Sequence, residues 1–130
     1  MKGYLLDTHA LIWWNADEGK LGAAARAVFE EADQPIFASA VNAFEIATKH
    51  RLGKLPVAHS LLQAYHASLN EAGFMELSIQ TEHALRAGTL QIEHRDPFDR
   101  LLIAQALVEN LTLLSNERLF DRFGVNRVWE

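Results

Sequence analysis

Residues 2–14 read KGYLLDTHALIWW. The apolar run Tyr4-Leu5-Leu6 has the character of a buried strand, and residues 2–6 are assigned to one. The run stops at a carboxylate, Asp7, followed by Thr8, His9 and a second apolar run. Two accounts of Asp7 fit this stretch alone. Asp accepts hydrogen bonds from the free N–H groups of a first helical turn, so it can cap the helix that follows. Open α/β sheets also bind ligands just beyond the carboxyl ends of their strands, so it can belong to a site.

Outward from this stretch, short strands alternate with helical patterns, the mark of a parallel α/β fold. GKLGAAARAVFEEA (19–32) reads as an amphipathic helix and QPIFAS (34–39) as a strand over Ile36 to Ala38. Ser39 then caps a helix, AVNAFEIATKHRLG, that stops at Gly53. AHSLLQAYHASLNEAG (58–73) reads as one helix, FMELS (74–78) as a strand, and TEHALRAG (81–88) as a short helix. DPFDRLLIAQALVEN (96–110) carries two start signals, Asp96 at the N-cap and Pro97 at the first helical position. LTLLS is a strand, NERLFDRFG a short helix capped by Ser115 or Asn116, and VNRVW a last edge strand.

A chain of 130 residues suits one domain, 1–130, and can bury roughly two thirds of its unfolded surface. It has no Cys, which excludes a disulfide framework and a thiolate zinc site and makes cytoplasm the expected compartment. The N-terminus lacks the pattern of a signal peptide, and no apolar run approaches the ~18 residues of a membrane span. A net charge of −5 argues against indiscriminate nucleic-acid binding. It leaves room for a nucleic-acid enzyme whose acids are neutralised by a divalent metal.

Four further acids join Asp7. Read at about 100° per residue, the helix after Ser39 has an apolar stripe of Val41, Phe44, Thr48 and Leu52, and Glu45 falls inside it. A carboxylate there is costly unless paired, hydrogen-bonded or metal-bound. Reaching solvent, or pairing with Lys49 at i+4, is the plainer account. Asp96 and Asp99 sit at the N-cap and third positions of a helix that is apolar on nearly every side. Asp96 reads as a cap; Asp99 would stand at the sheet's end beside Asp7. Ser115, Asn116 and Glu117 follow the fourth strand, with helix capping as the plain account. A parallel sheet gathers such positions on one edge. Carboxylates sharing a cleft repel unless a cation joins them, and hard oxygen ligands without Cys suggest Mg²⁺ or Mn²⁺.

LLDTHALIWW, ASAVNAFEIATKHRLGKL, HRDPFDRLLIAQAL and LTLLSNERLF resemble successive motifs of the PIN domain, most closely those of VapC-type toxins from bacterial toxin–antitoxin pairs. The resemblance runs from Leu5 to Trp129. It implies a three-layer α/β/α sandwich around a parallel sheet. It also implies a Mg²⁺-dependent (or Mn²⁺-dependent) endoribonuclease that cleaves RNA phosphodiesters with metal-activated water, leaving 5′-phosphate and 3′-hydroxyl ends. On this resemblance Asp7, Glu45 and Asp99 match the family's metal-binding catalytic acids. Thr8, Asp96, Ser115 and Asn116 are capping or supporting residues. The family usually has Thr-x-Asp after the fourth strand; here the text is Ser115-Asn116-Glu117, so Glu117 would be the fourth acid. The partners implied are RNA, a small cognate antitoxin covering the cleft, and a second copy of the chain, with no membrane.

Lys49, Arg95, Arg100 and Arg118 are candidate phosphate contacts, with Arg51, Lys54 and Arg122 behind them; solvated helix faces account for them nearly as well. The six His residues show no metal-ligand spacing and read as surface or packing residues, with His94 near the site. Trp13 and Trp14 read as core or as an interface. Three other readings stay open on residues alone. A phosphoryl-transfer enzyme with an aspartyl nucleophile would want a second acid where His9 stands. A receiver-like signalling module would want a late strand-end Lys. An inactive PIN scaffold would bind metal without cleaving.

Overall fold

The computed structural model describes residues 2–55, 58–91 and 93–130. Its centre is a parallel sheet of β1 (Tyr4–Leu6), β2 (Ile36–Ser39), β3 (Met75–Leu77), β4 (Thr112–Leu114) and β5 (Arg127–Val128), in the order β3-β2-β1-β4-β5. The helices are α1 (Thr8–Ala16), α2 (Ala23–Glu31), α3 (Ala40–Arg51), α4 (His59–Gln63), α5 (Tyr65–Glu71), α6 (Thr81–Thr89) and α7 (Pro97–Glu109).

β1 lies in the middle, with Leu5 opposite Phe37 on one side and Leu113 on the other. Successive strand residues point to opposite faces. Leu5 accordingly packs with Phe37, Val41, Leu102, Ile103 and Leu113, whereas Leu6 packs with Leu11, Ile46 and Leu114. Two apolar layers, one on each face of the sheet, make the three-layer α/β/α sandwich. Leu5 and Leu6 are both fully buried, each worth roughly 1.5–3 kcal/mol. Burial on both faces is why the strand reads as a continuous apolar run rather than an alternating one.

Several boundaries differ from the sequence reading. β1 starts at Tyr4 rather than at residue 2. Residues 19–32 split into a 3₁₀ turn, Glu18–Lys20, and α2. The backbone is extended at Leu21 and Gly22 (ψ 137° and 158°), and a Cβ on Gly22 would stand 2.0 Å from the carbonyl oxygen of Trp129. That carbonyl accepts the Ala25 N–H, tying the C-terminal segment to α2. The helix expected over 58–73 breaks at Ala64 (φ −129°, ψ 40°) into α4 and α5. The last helix is a 3₁₀ turn, Arg118–Phe123, and its cap is Glu117 rather than Ser115 or Asn116.

The apolar stripe assigned to α3 is also corrected. Phe44 and Leu52 are 57% and 53% exposed, and the buried face is Val41, Asn42 and Ile46. Asn42 replaces an apolar residue there because it is fully hydrogen-bonded, as the site below requires. Glu45 still falls between Val41 and Ile46 in angle, so it faces inward for a different reason than the stripe supplied. α7 begins as read, with Asp96 accepting from Phe98 N at 2.9 Å and Pro97 at its first position, and ends on Asn110 in the left-handed region (φ 56°). Among the described residues, no helix is long and apolar enough to cross a membrane.

Candidate active site

The C-terminal ends of β1 and β4 lie in register, Leu6 opposite Leu114, which sets Asp7 beside Ser115. Asp7 N donates to the Leu114 carbonyl at 3.0 Å, extending the ladder by one step. Its carboxylate is then held at both oxygens. Oδ1 accepts Thr8 N at 2.7 Å and Oδ2 accepts the Ser115 hydroxyl at 2.8 Å. The two accounts of Asp7 are therefore compatible: the carboxylate that caps α1 is also the one at the strand end. It is 7% exposed, and burial raises its pKa above the usual value, opposed by the Ser115 hydrogen bond.

Glu45 enters from α3. The Thr8 hydroxyl donates to its Oε1 at 2.6 Å, and Asn42 Nδ2 donates to the Thr8 oxygen at 3.0 Å and to the Leu6 carbonyl at 3.1 Å. Asn42 Oδ1 meanwhile accepts Ser39 N at 2.7 Å, which closes the N-terminus of α3. Glu45 does not pair with Lys49. Burial raises its pKa, and the charges of Asp7, Asp99 and Asp96 push it further the same way.

Asp99 stands in the first turn of α7, where His94 Nε2 lies 2.8 Å from its Oδ2. Burial raises its pKa too, opposed by the His94 hydrogen bond and reinforced by Asp96 and Asp7. The His94 ring is fixed edge-on to Phe120 and Phe123, at 6.3 and 5.8 Å. Asp96 is exposed at the N-cap. Ser115 Oγ, besides donating to Asp7, accepts Glu117 N at 3.0 Å. Glu117 Oε1 accepts Leu119 N at 3.1 Å.

Asp7, Thr8, His9, Trp13, Glu45, Lys49, Asp96, Asp99, Asn116, Glu117 and Phe120 line one cleft of about 330 Å³. Five of these are carboxylates against a single Lys. That donor set fits a hard divalent cation, which would relieve the mutual repulsion that raises Glu45 and Asp99. In their present positions, no three of the described His, Asp or Glu side chains close on one point as a formed metal site would. Each is turned instead to its own partner: Ser115, Thr8 or His94. The residues fit the ion in type, and each carboxylate keeps an oxygen on a partner that fixes its position.

The basic candidates divide. Lys49 lines the cleft, with Nζ 3.3 Å from His9 Nε2. Arg95 is exposed on the loop before α7 and outside the described lining residues. Arg100 is turned inward, donating to the carbonyls of Ala87, His94 and Leu90 at 2.9, 3.2 and 2.8 Å. Arg118 pairs with Glu130 at 2.8 Å on the surface. Arg100 is thus engaged by backbone carbonyls, whereas Arg118 stays on the surface in an exposed ion pair. The sequence reading missed His9, whose pKa is lowered by burial and by the Lys49 charge. The only signal was its place two residues after Asp7. Trp13 packs on His9 and Trp129, at 5.4 and 5.7 Å, and so combines core and cleft wall.

A parallel sheet with acids from its strand ends and helix starts defines a class that the comparisons identify. The family model of the PIN domain matches residues 4–126, and the chain belongs to that family. It is similar to Ribonuclease VapC22 of Mycobacterium tuberculosis, 29% identical over 121 residues that cover 91% of this chain and 89% of the relative. The fold is shared with solved structures. VapBC2 from Rickettsia felis, bound to a DNA fragment from its promoter, gives a TM-score of 0.69 at 15% identity, covering 98% of this chain and 99% of that one. FitAcB from Neisseria gonorrhoeae gives 0.62 at 17% identity, covering 95% of each. A toxin–antitoxin complex from Klebsiella pneumoniae gives 0.52 at 19% identity, covering 88% and 86%.

Proposed function

We propose that this chain is a Mg²⁺-dependent endoribonuclease toxin, a single cytoplasmic PIN domain held in check by a small antitoxin and able to self-associate. The carrying observation is that Asp7, Glu45 and Asp99, from three different elements, line one cleft and act on one another's charge. The likeness to a VapC ribonuclease and to antitoxin-bound folds supports the same reading.

Asp7, Glu45 and Asp99 would hold Mg²⁺ or Mn²⁺, with Glu117 as a fourth acid at the rim. When bound, such an ion lowers the pKa of water and stabilises charge on a phosphoryl oxygen. The chain's own residues do the rest. Ser115 and Thr8 N hold Asp7 rigid, Thr8 sets the angle of Glu45, and His94 sets that of Asp99. Lys49, which lines the cleft beside His9, would offer the cationic contact for the RNA phosphate. Asp96 keeps the start of α7 in place. Products would carry 5′-phosphate and 3′-hydroxyl ends.

The test is cleavage of RNA by the purified chain with Mg²⁺ or Mn²⁺, and its loss in EDTA. Full activity in chelator, with metal shown absent, would overturn the mechanism. Expression should halt growth and Asp7→Asn should relieve it; harmless expression of soluble, folded wild type without antitoxin would overturn the toxin reading.

A further inference from the structure

The cleft has an affinity problem. Non-specific RNA binding ordinarily comes from Lys and Arg on phosphates. Here five lining carboxylates face one Lys, Arg100 is turned to backbone carbonyls, and the whole chain carries −5. A bound divalent ion offsets only part of this. Binding of a polyanion then needs a contact that does not depend on charge, and the surface next to the acids carries one.

Phe44 directly precedes Glu45 on α3, and Phe98 directly precedes Asp99 on α7. Their rings lie 5.1 Å apart with planes tilted by 34°, bridging the two helices that carry the acids. Phe44 is 57% exposed although it sits in the middle of a helix, and Phe98 is half-buried behind it. Of the large aromatics that line the cleft, Trp13 has its ring engaged by His9 and Trp129, with Lys20 Nζ 6.0 Å above it, and Phe120 is buried.

We infer that Phe44, backed by Phe98, is a stacking platform for a base of single-stranded RNA next to the scissile phosphate. This rests on the ribonuclease reading above. Stacking is available to every base, so the platform fixes strand path rather than sequence. Neither ring is among the residues that line the cleft; the pair spans the two helices that carry Glu45 and Asp99, so a strand leaving the acids over that side meets it. Phe98 stiffens the platform by occupying one side of Phe44, leaving the remainder of its surface to solvent and to the base.

The experiment measures kcat and KM for cleavage of a short mixed-sequence RNA in Mg²⁺ by wild type, Phe44→Ala, Phe44→Leu and Phe44→Trp. Both aliphatic variants should raise KM roughly tenfold or more, with kcat little changed, and Phe44→Trp should restore it. Leu keeps apolar bulk without a π face, so it separates stacking from simple burial. Quenching of 2-aminopurine in the same RNA, titrated with Asp99→Asn so that it is not cut, should be strong and should vanish when Phe44→Leu is added. If wild type cleaves and Phe44→Leu matches it in KM, the platform is refuted while the ribonuclease reading stands. If Phe44→Leu leaves KM intact but weakens self-association in sedimentation, the pair is a protein contact and the inference is wrong. If wild type neither binds nor cleaves RNA with either metal, both readings fall together.

Discussion

Removing the Thr8 hydroxyl without changing the side chain's shape tests how the site is held. Thr8→Val deletes the 2.6 Å hydrogen bond to Glu45 and the 3.0 Å bond from Asn42. A hydrogen bond to a charged group is worth roughly 1.5–3 kcal/mol and a neutral one about 0.5–1.5. Asn42 keeps its bond to the Leu6 carbonyl, which limits its share of the loss. A buried methyl in place of the hydroxyl returns something near 0.8 kcal/mol. The expected net cost is about 2 kcal/mol. For a chain of this length that is a fall in Tm of about 7 °C. Glu45 also loses the bond that holds its pKa down, so its protonation should extend to higher pH and the acid side of the activity profile should shift upward. Thr8→Ser keeps the hydroxyl and should keep both the profile and most of the activity. Differential scanning calorimetry and pH-rate profiles on the two variants decide the matter. A Thr8→Val protein with wild-type Tm and an unmoved profile would mean that Thr8 does not organise Glu45.

Glu45→Gln should stabilise the protein in metal-free buffer at neutral pH. The folded pKa is raised above 4.5, so the native state holds its proton more tightly than the unfolded chain, and wild-type stability falls as pH rises through that window. The gain should fade towards pH 4.5 and below, and urea titrations at several pH values measure it. Asp99→Asn should abolish cleavage whereas Asp96→Asn should not, because Asn still accepts the Phe98 N–H; equal inactivity of two folded variants would contradict that division. Glu117→Gln preserves the acceptor for Leu119 N and so the fold, yet should slow cleavage at least tenfold, about 1.4 kcal/mol of barrier. Near-wild-type turnover across a magnesium titration would reduce the site to Asp7, Glu45 and Asp99, with Glu117 a cap alone.

Features fixed by neighbouring residues were legible in the sequence. The Leu6-Asp7-Thr8 step and the Asp96-Pro97 start carry their own capping chemistry, and both stand where they were read. The face of α3 was not, because a helix in contact with both a sheet and a second helix is oriented by its partners. Asn42, though polar, is fully buried because Leu6 and Thr8, more than thirty residues earlier, supply its acceptors. Arg100 looked like a phosphate ligand because charge is visible in a sequence and the carbonyls that capture it are not. The place of His9 in the cleft was not legible because its neighbour there, Lys49, lies forty residues away. The acids of the candidate site could be singled out from ordinary caps only through their resemblance to a known pattern.

The Ser115 hydroxyl reaches Asp7 across 108 positions of the chain. Asp7 is made well before β4, the strand that aligns Ser115 with it. The early product, β1 through α3, already contains Asp7 and Glu45 but lacks β4, so β1 has an open edge and Asp7 has solvent where its neighbour will be. Pairings so distant in sequence form late, because the entropy of closing the loop must be overcome before they give anything back. A chain that stops short of β4 therefore carries Asp7 and Glu45 without the hydroxyl that fixes Asp7.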